Sequence, residues 1–367
     1  MDETVVDYAI VGGGPIGLAT GILARMAGHT ALVIERHAGV VDKACGEGLM
    51  PPAVAMLRRV GVEVEAAGSH PLAGIRYIDG ETIAQARFVD GTGLGIRRTF
   101  LSDALIRRAT QLDVSLWHRT EYRGFTASAD GVLVDTTRGP VRARWLVGAD
   151  GLHSQVRKAA GFAVTTPTPR RFGIRQHFRV APWTEFVEVY WGNGVEAYVT
   201  PTGPERVGVA FLWSGGKGDM ETFLRAFPAL SARLGPPEDE VRGAGPLAVE
   251  VGPPQKGRVL LVGDAAGYLD AITGEGLSLG MLSAEALVAA TGANRPEEYA
   301  PAYRGIVRRH LMFTRLLLGI SRRPWARRPL IRRLARHPRA MEAFLAFNAG
   351  VWGWGRVLLP ALGMAVP

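Results

Sequence analysis

The stretch DYAIVGGGPIGLATGILARMAGHTALVIERH, residues 7–37, decides the fold. The apolar run Tyr8 to Val11 predicts a buried strand, and the residues after Gly17 predict a helix. The glycines fall in the turn between them. Gly12 permits the tight turn, Gly14 lets the backbone approach a pyrophosphate, and Gly17 lets helix and strand pack closely, with phosphates at the positive end of the helix. A second strand, Ala31 to Ile34, delivers Glu35, whose carboxylate can accept hydrogen bonds from an adenosine ribose and repels a 2′-phosphate. Strand, turn, helix, strand and acid in this order predict a dinucleotide-binding unit.

The remaining composition is that of a globular chain of 367 residues with a sizeable core. One cysteine, Cys45, rules out an internal disulfide framework and a multi-cysteine metal site, and no metal is expected. The acidic start MDETVVDYAIVGGG runs straight into the first strand, which predicts neither a signal peptide nor a transit peptide and a cytoplasmic location. Net charge is +9, yet twelve arginines and no acid lie between Arg304 and Arg339, and subtracting them leaves −3 for the rest. Such localised charge argues against nucleic acid bound along the fold and points to one basic element. Leu, Phe, Trp and Ile interleave those arginines. Two readings stay open, an interfacial helix at the edge of a membrane and an arginine-rich solvated face packed on the core. The uncharged run AFLAFNAGVWGWG ends at Arg356, short of the ~20 apolar residues that a spanning helix needs.

Two later stretches repeat the strand-tip pattern. In RVLLVGDAAGYLDAITGEGLSLGMLSAEAL, residues 258–287, a buried strand ends in Gly263-Asp264, and Gly274 and Gly276 open a long helix. The aspartate can accept from a sugar hydroxyl, while the helix start faces a phosphate or a ring edge. In WLVGADGLHSQVRKAAG, residues 145–161, a strand ends in Asp150-Gly151, and Ser154 is placed to cap the next helix.

Together these motifs resemble the three signatures of the flavoprotein monooxygenases of the para-hydroxybenzoate hydroxylase type, a superfamily that includes the geranylgeranyl reductases. The resemblance covers roughly the first 290 residues. It implies an α/β fold: a Rossmann-like FAD-binding domain with a parallel sheet and helices, an inserted antiparallel substrate sheet, and a helical C-terminal segment. The expected boundaries are 1–72, 93–171 and 255–290 for the first, 73–92 and 172–254 for the second, and 291–367 for the third. It also implies that Glu35, with Arg36 beside it, serves the adenosine ribose, Asp264 the ribityl chain, and Asp150-Gly151 both FAD and NAD(P)H. GIRRTFLSDALIRRA, residues 95–109, resembles the family's arginine-led helix start and puts Arg98 near the phosphates.

Between these motifs lie IRYIDG, TIAQARF, FGIRQHFRV, FVEVYWG, EAYVT and ERVGVAFLW, whose alternation and Gly/Pro punctuation predict antiparallel hairpins. Tyr190, Trp191, Tyr198, Phe211 and Trp213 are the candidate lining of a substrate pocket, with sheet-core packing as the alternative. His177 and Glu188 are candidate bases for a phenol, against a structural role. DKACGEGLMPPAV, residues 42–54, resembles the CG-x-G-L segment of the reductases, where Cys45 is either a proton donor or a small packed hydrophobe. Two departures weigh against a reductase: Ala271 stands where those enzymes carry proline, and EAYVTP, residues 196–201, keeps only Pro201 of their Y-x-W-x-F-P string. The halogenases' W-x-W-x-I-P string is missing, and VWGWG at 351–355 is in the wrong place for it. The expected activity is FAD- and NAD(P)H-dependent hydroxylation of an apolar, phenolic substrate by O2 through a flavin C4a-hydroperoxide. The rivals are an ene-reductase of a polyprenyl lipid and a membrane-peripheral FAD carrier touching the membrane through residues 304–367.

Overall fold

A computed structural model describes residues 4–64 and 68–351. Strand Thr4–Val11 lies between Ala31–Ile34 and Val141–Gly148, and Ser115–Trp117 and Val259–Leu261 extend the sheet on either side, all in parallel. On its other edge the first part of Val141–Gly148 pairs antiparallel with Val132–Thr136, which in turn pairs with Tyr122–Ala127. Ala31–Ile34 is buried at every position, as a parallel strand covered on both faces must be. Helices Pro15–Met26, Arg98–Gln111 and Gly276–Gly292 cover one face through residues such as Leu18, Ile22, Leu101 and Leu287.

The register explains how distant motifs meet. Val11 pairs with both Ile34 and Gly148, and Gly148 pairs with Leu261. Four carboxyl ends therefore stand in one row, and the residues that follow them, Gly12, Glu35, Asp150 and Asp264, leave the sheet on the same side. Such an edge is where open α/β sheets bind ligands.

The second sheet has the order Arg242–Ala244, Arg171–Arg179, Arg206–Ser214, Val195–Gly203, Phe186–Trp191, Gly74–Asp79, Thr82–Arg87. It contains all six segments read as strands. One expectation is corrected: Phe186–Trp191 runs parallel to Gly74–Asp79. Those strands belong to hairpins that enter the sheet from far apart in the chain, so no tight turn forces them antiparallel.

The arginine-rich stretch forms helices Tyr299–Ser321 and Pro324–Arg336, followed by Pro338–Asn348. Ile331, Leu334, Met341 and Leu345 pack against the second sheet with Ile75, Tyr77 and Val189, and Arg327 is buried in an ion pair with Asp79 at 2.9 Å. The inward side of this stretch thus follows the core-packing reading. No helix among the described residues is long and apolar enough to cross a membrane. Most of VWGWG, and the C-terminal segment from 352 on, lie outside the described residues.

Candidate functional site

The glycine turn is dictated by close approach. Gly12 has φ +109°, and a Cβ there would sit 2.5 Å from the Ala149 carbonyl oxygen. A Cβ on Gly17 would sit 1.9 Å from the Gly12 carbonyl oxygen. Glu35 is held in place rather than free: its Oε2 accepts from the Gly13 N–H at 2.7 Å and its Oε1 from the His37 N–H at 2.9 Å. A carboxylate has about four acceptor positions, so lone pairs remain for a diol. Beside Gly14 stands Arg98, first residue of its helix, whose Nε is buried without a partner. A bare glycine backbone, a helix start and an unsatisfied guanidinium nitrogen make an anion cradle.

The other two tips are fastened together. Asp150 Oδ2 accepts from Gln155 N–H at 2.6 Å and Val156 N–H at 3.2 Å, and Ser154 Oγ accepts from Arg157 N–H at 2.9 Å, which is the expected cap. The buried Arg157 then donates to the carbonyls of Leu152 at 2.6 Å and Ala265 at 3.0 Å, tying the Asp150 loop to the Asp264 loop. The Asp264 carboxylate lies open to the cavity yet deep in protein; desolvation pushes its pKa up, opposed by Arg98 and Lys43.

All the residues proposed for the cofactor except Gly17 line one cavity of about 940 Å³: Gly12, Gly14, Glu35, Arg36, Arg98, Asp150, Gly151, Gly263, Asp264, Gly274 and Gly276. Gly17 serves the turn beneath it. The same cavity continues past Cys45 and Tyr268 to an apolar end formed by Tyr77, Val187, Val189, Tyr198, Leu212 and Leu317. The donor set fits FAD: acids at two strand tips for sugar hydroxyls, the Arg98 cradle for phosphates, and the glycine-bearing segments 46–48 and 274–276 for a flat ring. Among the described residues no cluster of His, Cys, Asp and Glu is placed to hold a metal ion.

The substrate-side candidates divide. Tyr198 lines the cavity, with its hydroxyl buried and unpartnered, and Trp191 packs beside Phe344 and Tyr198. Tyr190 and Trp213 do not reach the cavity, because alternation turns them to the far face of the sheet, under helices Met220–Ala226 and Pro228–Ser231. Phe211 borders the cavity, but its ring is stacked on Phe227 on that far face, while its neighbours Ala210 and Leu212 point inward. The candidate bases are corrected as well. Glu188 is buried on the far face, paired with Arg76 at 2.7 Å and accepting from Trp183 Nε1 and the Tyr190 hydroxyl. His177 is fully buried between Glu47 at 2.5 Å and Asp239 at 2.8 Å, in a network with Arg175, Asp42 and Arg97. Both are engaged in holding the structure together. Cys45 lines the cavity and its Sγ accepts from the Glu47 N–H at 3.4 Å.

Three polar groups escaped the sequence reading. Glu47, at φ +57°, anchors the 42–48 loop by accepting from the Arg98 N–H at 2.9 Å and by contact with His177. Arg171 bridges two buried carboxylates, Asp270 at 2.7 Å and Glu196 at 2.6 Å, joining the second sheet to the loop after Asp264. Glu275 is buried with Oε1 unpartnered, and desolvation pushes its pKa up to about 7. A carboxyl raised in the folded state favours folding at low pH, and that advantage is lost as pH rises from its unfolded value through 7. At ~1.4 kcal/mol per unit, we expect the native chain to lose about 3 kcal/mol between pH 4.5 and 8 from this group. Thermal melts of Glu275→Gln against the native protein across that range should show the difference; parallel curves would contradict it.

Known proteins share the sequence pattern and the fold of this chain. Conditioned medium factor receptor 1 of Dictyostelium discoideum is 28% identical over 319 residues, covering 76% of this chain and 62% of that protein. Ubiquinone hydroxylase UbiL of Rhodospirillum rubrum is 28% identical over 323 residues, covering 78% of this chain and 73% of that one. The chain thus spans about three fifths to three quarters of the length of these two relatives. Among solved structures, p-nitrophenol 4-monooxygenase PnpA of Pseudomonas putida DLL-E4 superposes with a TM-score of 0.81 at 20% identity, over 97% of this chain and 99% of that one. A family model described as FAD binding domain matches residues 5–220. Because that match takes in more than half of the chain, with both the glycine turn and the Asp150-Gly151 tip, the chain belongs to the FAD binding domain family, and FAD is its cofactor.

Proposed function

We propose that this protein uses NAD(P)H and O2 to hydroxylate an apolar aromatic, phenolic substrate. The observation that carries this reading is the continuity of one cavity from the glycine turn to an apolar end under the second sheet. The names of two relatives, a ubiquinone hydroxylase and a p-nitrophenol monooxygenase, support an aromatic ring as the target. When bound, FAD supplies the redox chemistry, passing electrons from a nicotinamide to O2 and one oxygen atom to the substrate. The chain's own groups bind, orient and keep water out.

In this reading Glu35 and Asp264 hold the sugar hydroxyls, Arg98 and the Gly12–Gly17 turn hold the phosphates, and the 42–48 and 274–276 segments flank the ring. NAD(P)H visits the same cavity, since the sequence carries no second dinucleotide fingerprint. Val187, Val189, Leu212 and Ile272 exclude water from the substrate end. Burial beside Glu196 and Asp270 raises the Tyr198 pKa, so its hydroxyl stays protonated and can donate to a substrate oxygen.

Turnover with isotopically labelled O2 tests the reaction. Label in the product, and a stall at reduced flavin without air, is the expected result; saturation of the substrate without oxygen would assign an ene-reductase instead. Asp264→Ala tests the cofactor role: losing a hydrogen bond to a charged acceptor should weaken FAD binding by about 2 kcal/mol, roughly 30-fold in Kd, read by titrating apoprotein with FAD. Unchanged affinity would remove Asp264 from the site.

A further inference from the structure

The outward side of the arginine-rich helices is not explained by the flavin site. On Tyr299–Ser321 the exposed residues Arg304, Arg308, Met312 and Leu316 are spaced four apart, so they form one stripe along the helix. Its inward side, Phe313 and Leu317, is buried. The stripe ends at the corner where Trp325 stands 77% exposed, and Met312 and Leu316 are 45% and 53% exposed. On Pro324–Arg336 the exposed residues Arg328, Arg332 and Arg336 are likewise spaced four apart. Among the described residues no carboxylate lies within ion-pair distance of Arg304, Arg308, Arg332 or Arg336, whereas Arg327 and Arg315 have Asp79 and Glu250.

We propose that this face docks on an anionic lipid bilayer, with the arginines on the headgroups and Trp325, Leu316 and Met312 in the interface. Charge complementarity favours a polyanion, and the apolar residues decide which one. Leu and Met gain nothing beside a phosphate backbone, but gain apolar burial when they enter the boundary between headgroups and acyl chains. A tryptophan at a helix corner, one end apolar and one end wet, suits the same boundary. Leu317, next to Leu316 in the same helix, lines the substrate end of the cavity. The docked helix is therefore the wall between the bilayer and that cavity, a position suited to a substrate that partitions into lipid.

The test uses the FAD-loaded full chain and sedimentation with vesicles of phosphatidylcholine alone or mixed equally with phosphatidylglycerol. Binding to the mixed vesicles only, reversed by salt, is expected. At ~1 kcal/mol for each arginine near the surface, Arg308→Glu/Arg332→Glu/Arg336→Glu should weaken partitioning by roughly a hundredfold or more. Trp325→Ser should weaken it less and leave the salt dependence intact. Retained flavin absorbance confirms that each variant is folded. Absence of pelleting, equal pelleting by the triple variant, or displacement from anionic vesicles by duplex DNA would overturn the proposal, the last by assigning the face to nucleic acid. Because pelleting is read without turnover, its failure and that of the proposed hydroxylation are separate results.

Discussion

Gly17→Val protein is expected to emerge colourless, without FAD, and to melt well below the native chain. Even a single Cβ at this position would meet the Gly12 carbonyl oxygen at 1.9 Å and the Ala149 side chain at 3.2 Å. Neither neighbour can withdraw. Gly12 is itself fixed at φ +109° against the Ala149 backbone, and the strand behind it is hydrogen-bonded on both sides. Overpacking of a tight site costs about 1–3 kcal/mol, and a branched side chain falls at the upper end or beyond. The helix Pro15–Met26 must tilt away, which withdraws the helix start from the pyrophosphate. The control is Gly28→Ala, at φ +84° but with no atom within 4 Å. It should lose modest stability and keep its colour. If Gly17→Val binds FAD as tightly as the native chain, the turn does not cradle the phosphates.

Arg171→Met should produce the largest loss of stability, because it leaves Asp270 and Glu196 buried without their shared cation. Their side chains are 1% and 7% exposed, and the arginine donates to both. Removing one partner from a buried ionic group costs about 3–5 kcal/mol, which for a chain of this size lowers Tm by on the order of 5–10 °C. The pH dependence has a definite sign. Burial already raises both carboxyl pKa values in the native chain, with Arg171 pulling them down. Without the guanidinium they rise further, so the folded variant holds protons that its unfolded chain releases. Its deficit is widest above neutrality and narrows as acid protonates the pair. Melts of both proteins across the acid range check this, and a deficit that grows on acidification would contradict the assignment.

The glycine-turn half of the candidate site was legible because its determinants are local. Gly12, Gly17 and Glu35 lie within one strand-turn-helix-strand unit, and Asp150 and Asp264 each follow a short apolar strand. The sequence does not show that these tips adjoin, but parallel strands in one sheet can only place their carboxyl ends on one edge. The substrate half was less legible for a geometrical reason. Alternation along Val195–Gly203 and Arg206–Ser214 separates two faces, but both are covered by protein, so nothing in the pattern says which faces the ligand. Tyr198 was assigned to the cavity side, Tyr190 and Trp213 to the wrong one, and the inward residue at the end of strand Arg206–Ser214 is Leu212. His177 and Glu188 looked like isolated ionisable residues because their partners, Glu47, Asp239 and Arg76, lie far away in sequence. The C-terminal stretch was ambiguous because one helix pair does two things at once. Its inward leucines pack on the sheet while its outward arginines and Trp325 face solvent.

If four strand ends around Gly12 enclose one FAD, the purified protein carries that nucleotide. The most direct measurement is the visible spectrum of the freshly purified chain, followed by heat release and identification of the bound nucleotide. A yellow protein that releases FAD in a one-to-one ratio, and takes it up again after stripping, is the predicted result. A colourless chain that refuses FAD in titration would contradict it.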